Sequence, residues 1–134
     1  MEHTINTITL RGSLLEMPAF SHENHGRRYW RFLLEVPRLS GAVDRLPVIA
    51  EESLVMGIDP SGGQMLTVTG QVRSHNLRSD GVRHLMIFVY ATDILAEEGE
   101  PLNEVILGGP LCKEPIFRRT PLGRSICDLM LAVP

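Results

Sequence analysis

Asn6-Thr7-Ile8-Thr9-Leu10-Arg11-Gly12-Ser13-Leu14 returns further along the chain as Asn103-Glu104-Val105-Ile106-Leu107-Gly108-Gly109-Pro110-Leu111. The match continues at a constant shift of 97 residues: Pro18 falls on Pro115, Phe20 on Phe117, Gly26 on Gly123 and Arg27 on Arg124. It closes with Leu34, Val36 and Pro37 on Leu131, Val133 and Pro134, so 11 of 32 ungapped pairs are identical. A fixed-period match of this density marks a duplication. The organisation expected from it is a complete β-rich domain at 1–97, an acidic linker at 98–102, and the first hairpin of a second, incomplete copy at 103–134.

Each copy alternates as a strand does. Ile8, Leu10 and Gly12 share one side of the first strand, Ile5 to Leu15, and Thr7, Thr9 and Arg11 the other. The second strand, Arg28 to Val36, puts Trp30, Phe32, Leu34 and Val36 on a uniformly apolar face, which assigns Trp30 to the core. Between them, Ser21 to Arg28 reads as a polar loop. A third strand is expected near Arg45–Ala50, with Pro47 at an edge or bulge. A short helix over Glu51–Met56 should end at Gly57 and the turn Asp59-Pro60-Ser61-Gly62-Gly63. Leu66, Val68, Gly70 and Val72 define a fourth strand and Leu85–Ala91 a fifth. They are joined by a loop, Ser74–Arg83, that holds the turn signal Ser79-Asp80-Gly81.

Five short strands with a helix between the third and fourth is the order of the OB-fold, a small Greek-key barrel. The expected fold is therefore all-β: one five-stranded OB barrel with a short helix, followed by an extra β-hairpin. In that barrel, ligands meet the outer face of strands two and three and the two long loops.

The residues resemble the bacterial single-stranded DNA-binding proteins, whose opening reads approximately N-x-V-x-L-x-G-x-L-x-x-x-P-x-x-R-x-T-x-x-G. The second copy follows it through Asn103, Val105, Leu107, Gly109, Leu111, Pro115, Arg118, Thr120 and Gly123. The first copy keeps Asn6, Leu10, Gly12, Leu14, Pro18 and Gly26, with Ser21 and Glu23 in the Arg and Thr places. Val68-Thr69-Gly70-Gln71-Val72-Arg73 is similar to the family's fourth strand. The resemblance implies binding of single-stranded DNA with little sequence preference, in replication, repair or recombination. Residues 103–134 cannot close a barrel alone, so their apolar face (Leu107, Leu111, Leu129, Leu131 and Val133) is expected to pack on the first domain or on another copy, as a homodimer or higher homo-oligomer. Two places where family members stack bases on aromatic rings hold Arg45 and Leu77. The alternative is an OB-fold protein-interaction or oligomerisation module with weak or no DNA binding.

The nucleic-acid-binding residues expected on this basis are Arg11, Arg27, Arg28, Tyr29, Arg31, Arg45, Thr69, Arg73, Arg78 and Arg83. Arginine meets phosphates through a planar fork and stacks on rings, and the chain carries twelve arginines against the single Lys113. A net charge of −3 argues against gripping nucleic acid by bulk charge. His22-x-x-His25 is too sparse for a metal site. No phosphate-binding glycine loop or nucleophile elbow is present, so neither an enzyme nor a cofactor is expected. Cys112 and Cys127 are expected as free thiols of a cytoplasmic protein. Met1-Glu2-His3-Thr4 does not open a secretion signal, and no apolar run is long enough to span a membrane.

Overall fold

A computed structural model describes residues 4–59 and 63–134. It divides into two compact units, Met1–Asn6 with Ile106–Pro134, and Thr7–Val105. The turn expected around Pro60, Ser61 and Gly62 lies outside the described residues.

The strands are β1 (Ile5–Leu14), β2 (Ala19–Asn24), β3 (Arg27–Pro37), β4 (Val43–Glu51), β5 (Met65–Ser79), β6 (Val82–Ala96), β7 (Leu102–Gly108), β8 (Ile116–Arg119) and β9 (Ser125–Asp128), with one helix, α1 (Glu52–Val55), between β4 and β5. The larger sheet has the order β2-β3-β4-β6-β5-β1-β7, and an additional β3–β1 pairing closes it into a barrel. With β2 and β7 set aside, β1, β3, β4, β5 and β6 are the five OB strands in their expected order.

Closure depends on β1 serving two partners. Ile8–Ser13 pair with Gly70–Met65 of β5, while Ser13 and Leu14 pair with Glu35 and Leu34 of β3. Gly12 sits at the handover. A Cβ there would run into the Glu35 carbonyl and the Val36 side chain, so only glycine lets the two backbones approach. The interior is then filled by alternate residues of β1, β3, β4, β5 and β6: Ile8, Leu10, Leu14, Phe32, Leu34, Val36, Val48, Ala50, Leu66, Val68, Val89 and Ala91. A bulge near the end of β6 keeps this pattern. Thr69 pairs with Asp93 and Gly70 with Ala91, leaving Thr92 extra, with its Oγ1 donating to the Thr69 carbonyl at 3.0 Å. The added residue returns Ile94 to the core side opposite Val68.

Two segments expected as loops are strands. Ser21–Asn24 belong to β2, which pairs with β3, and Ser74–Ser79 extend β5 against Val82–Ile87 of β6. The reason is turn chemistry. His25-Gly26 have φ of 51° and 76°, and Asp80-Gly81 have 52° and 77°. Two successive left-handed residues form the tight turn whose twist matches flanking strands, so pairing propagates away from it. Pro47 faces Leu33 of β3, and the parallel β4–β6 pairing engages only Val48 and Ile49. Its missing N–H therefore lies outside the parallel contact.

Trp30, expected in the core, is half-buried at the barrel rim. Its ring meets the Phe20 edge at 5.8 Å and its Nε1 donates to Glu52 Oε2 at 2.9 Å. The indole N–H explains the shift, because a buried donor needs an acceptor and the apolar interior has none. Arg28 Nε reaches the same Glu52 oxygen at 2.9 Å, and its guanidinium lies 4.6 Å over Phe20. The Trp30 and Arg28 donors together hold the Glu52 carboxyl below its usual range.

In the smaller unit, the shift of 97 that relates the sequences also relates the pairings. Leu14↔Leu34 recurs as Leu111↔Leu131, Ala19↔Arg31 as Ile116↔Asp128, and Phe20↔Trp30 as Phe117↔Cys127. Gly109 is pressed against the Ala132 carbonyl as Gly12 is against that of Glu35.

Gly12→Ala should cost about 1–3 kcal/mol, the usual penalty for overpacking a tight site, read as a lower midpoint in urea unfolding followed by the fluorescence of the single tryptophan. A midpoint equal to wild type would show that the crossing is not tight. Glu52→Gln tests the rim bracket through pH. Because the folded state lowers the Glu52 pKa, its contribution is present above the unfolded value of about 4.3 and fades as pH falls through the lowered one. Wild-type stability should therefore drop more steeply than that of Glu52→Gln as acid is added from pH 5 downward. Parallel curves would overturn this.

Candidate nucleic-acid interface

The outer face of the barrel carries what the alternation leaves on the solvent side. Along β3 these are Arg27, Tyr29, Arg31, Leu33 and Glu35, whose neighbours Phe32, Leu34 and Val36 are buried. Register carries the row across the sheet: Arg31 faces Ile49 of β4, Ile49 faces Tyr90 of β6, and Tyr90 faces Gln71 of β5.

Along this row four planar groups form a column. His22 stacks on Tyr29 with ring centres 4.8 Å apart and planes within 13°. Tyr29 lies 6.3 Å from Tyr90, and the Arg73 guanidinium sits 4.1 Å above the Tyr90 ring. Gln71 holds that guanidinium in place, its Oε1 accepting from Arg73 Nε at 3.2 Å and Nη2 at 2.9 Å. Further out on β5 and β6, His75 lies 5.4 Å from Phe88. Burial, followed by the hydrogen bond with Tyr29, raises the Tyr90 phenol above its ordinary value, so it stays neutral across the physiological range. The outcome is a strip of ring faces edged by a fixed cation. Such a surface stacks planar bases and pairs with phosphate oxygens.

Of the residues expected from sequence, Arg27, Tyr29, Arg31 and Arg73 share this face. Arg27 also pairs with Glu51 at 3.6 Å, and Arg45 lies further along β4, paired with Glu35 at 3.6 Å. Thr69 is half-buried on β5, opposite Thr9. The remaining arginines are placed elsewhere. Arg28 is on the rim, bound to Glu52. Arg11, with its side chain 16% exposed, donates to Thr67 Oγ1, to Glu97 and to the Glu100 carbonyl, and so ties β1 to the chain beyond β6. Arg78 and Arg83 face one another across the β5–β6 arm, on the opposite side of the ribbon from Arg73, Phe88 and His75. Like charges directly opposed on a sheet repel, which leaves this pair suited to a bridging anion.

His22, His75, Phe88 and Tyr90 were missed. The signal for two of them is present in Phe88-Val89-Tyr90-Ala91, where small apolar residues alternate with rings in the pattern of a two-faced strand.

No protein-family model and no curated protein sequence matches the chain. Solved structures do. The wild-type single-stranded DNA-binding protein from Thermus aquaticus is 26% identical with a TM-score of 0.79, the match covering 98% of this chain and 69% of that one. A deletion mutant of the same protein is 28% identical with a TM-score of 0.75, covering 98% and 70%. The N-terminal domain of the PriB protein from Thermoanaerobacter tencongensis, solved as a dimer, is 37% identical with a TM-score of 0.60, covering 70% of this chain and 98% of that one. With that identity over nearly all of the PriB domain, on the same OB barrel, this chain belongs to the family of the PriB N-terminal domain, with the single-stranded DNA-binding proteins as its more distant relatives.

Proposed function

We propose that this protein binds single-stranded DNA with little sequence preference, in replication, repair or recombination, and acts by coating the strand and not by catalysis. The observation that carries this reading is the column of His22, Tyr29, Tyr90 and Arg73 on the outer face of the barrel. Every base has a π face, so a row of rings with a cation beside it grips a strand without reading its sequence. Arg27 and Arg31 lie on the same face for phosphate contact, and Arg78 with Arg83 extend the positive charge along the arm. The relatives from Thermus aquaticus are themselves named for single-stranded DNA binding. The absence of a stacking ring at Arg45 and Leu77 is offset here by Tyr90 and Phe88. The place of action is the cytoplasm, and among the described residues no helix is long and apolar enough to cross a membrane.

The second part of the proposal is self-association through residues 103–134, as a homodimer or higher oligomer. None of the described residues of this segment is fully buried; Ile106 and Leu129 are each 60% exposed. In the first copy the equivalent positions of Leu107, Leu111, Leu129 and Leu131 are the core residues Leu10, Leu14, Phe32 and Leu34. A strand face with core chemistry is covered when a second copy packs on it. The same feature favours the alternative, an interaction module in which DNA binding is weak.

Labelled oligo-dT in fluorescence anisotropy should bind at micromolar or tighter concentrations in low salt, with affinity falling steeply as salt is added. Tyr90→Ala should lose about 1–3 kcal/mol, the usual contribution of one stacked base. Absence of binding at low salt would leave the interaction-module reading. Light scattering after size exclusion should give a dimer or larger, and Leu129→Glu should shift it towards monomer. A monodisperse wild-type monomer at high concentration would overturn the association.

A further inference from the structure

The β5–β6 ribbon leaves the barrel as an arm whose two faces differ. Arg73, His75, Met86 and Phe88 lie on one side. Ser74, Asn76 and Arg78, paired with Ile87, Leu85 and Arg83, lie on the other. This second face continues outward from Val89, which belongs to the core. Beyond Val89 the apolar row is bare: Ile87 is 59% and Leu85 63% exposed. At the tip Arg78 and Arg83 oppose each other, and among the described residues neither has an acidic partner within ion-pair distance. An apolar row ending in two unmatched cations calls for a partner of the reverse chemistry.

That chemistry stands at the other end of the same ribbon. An open hollow of about 580 Å³ lies between the turn after β3 and the segment after β6, with Pro37, Leu39, Pro101 and Leu102 on its walls. Arg38, also on the wall, is taken up by Asp44 at 2.6 Å, so Glu100 leaves the hollow acidic. Glu98 stands two residues earlier, and among the described residues neither carboxylate has a cation within ion-pair distance. Arg11 holds this wall in shape. Its Nη1 donates to the Glu100 carbonyl at 3.2 Å and lies where a Cβ on Gly99 would meet it at 3.0 Å. Charge is thus segregated along the chain: residues 73–84 hold Arg73, Arg78 and Arg83 against Asp80, while 93–104 hold five carboxylates and neither Lys nor Arg. Ser79 at the tip and Leu66 at the base are separated by continuous pairing, roughly 40 Å of strand. The arm of a copy therefore does not reach its own hollow.

We infer that the arm of one copy docks in the hollow of a second copy, with Leu85 and Ile87 against its apolar wall and Arg78 and Arg83 on Glu98 and Glu100. The two surfaces differ, so the contact is head-to-tail and propagates into a chain or ring of copies. Nucleic acid would answer the arginines but not the rest of this face. It carries no ring for a base, and the stacking column lies on the other side of the ribbon. A purely apolar partner would leave both guanidiniums desolvated and unmatched. The contact uses no residue of 106–134, so it is separate from the apolar self-association proposed above.

The test is sedimentation velocity on the full chain without DNA. Wild type at low salt should show a mass that rises with concentration past the dimer. High salt should reverse the rise, because exposed ion pairs are screened. Arg78→Glu with Arg83→Glu, and separately Glu98→Arg with Glu100→Arg, should each raise the concentration needed by roughly tenfold, the loss of two exposed ion pairs. Mixing the two double variants should restore assembly, since the reversed arm of one meets the reversed hollow of the other. A variant that has merely misfolded cannot be rescued in this way. A wild type that stops at a salt-insensitive monomer or dimer overturns the inference, as does a mixture that assembles no better than its parts. If the arm variant weakens oligo-dT binding yet assembles as wild type, the arginines serve nucleic acid and the inference fails.

Discussion

The missing side chain of Gly12 is the constraint on which the barrel depends. A strand that must leave one neighbour and join another within two residues brings three backbones together, and Glu35 and Val36 occupy the space a Cβ would need. Once β1 is allowed to pair with both β5 and β3, the sheet closes. Its interior becomes a single apolar cluster, and every outward residue is fixed by parity. Tyr29 points out because Phe32 and Leu34 point in; Tyr90 points out because Val89 and Ala91 do not. The face proposed for binding is thus a consequence of core packing, and its ring spacing is inherited from strand spacing.

That inheritance is compatible with a nucleic-acid surface of the kind proposed on an acidic protein. The cations that matter are held by local partners that leave their planes available. Gln71 orients Arg73 over Tyr90 without neutralising it. By contrast, Arg11, Arg28 and Arg38 are bound to Glu97, Glu52 and Asp44 and serve the scaffold. Net charge counts all of these alike. It therefore says little about one face of a small barrel, where stacking rings and a few oriented guanidiniums set what can bind.

Strand order and the core were legible in the sequence because period-two alternation is strong in β1, β3 and β5, and because burial on one side enforces it. The site was only partly legible. Sequence composition made Ser21–Arg28 and Ser74–Arg83 look like loops, while the two-residue turns His25-Gly26 and Asp80-Gly81 convert them into paired ribbons. Pairing then decides which side each residue takes: it separates Arg78 and Arg83 from Arg73, and a single bulge in β2 brings His22 onto Tyr29. A bulge has no one-residue signature in sequence. Trp30 was misplaced for a related reason, since alternation gives a side but not a depth, and the indole N–H draws the ring to the rim where Glu52 accepts it.

The duplicated segment separates what the fold requires from what a site can vary. Across the two copies the tight glycine, the Leu–Leu pairing and the aromatic at Phe20 and Phe117 are all kept. Around that aromatic, the two groups that touch it have changed: Trp30 and Arg28 give way to Cys127 and Ser125. A ring retained only for packing would be expected to keep its cover, because an exposed phenylalanine forgoes the gain from burial. Phe117 keeps the ring without either neighbour, at 69% exposure against 43% for Phe20. The pairing that positions it is the one that positions Phe20, so at this ring the copies differ in side-chain chemistry, and just beyond it in the bulge that β2 carries and β8 does not. The first copy braces its barrel with this hairpin, through Trp30 and Arg28 on Glu52, and the second, lacking both, leaves its ring exposed.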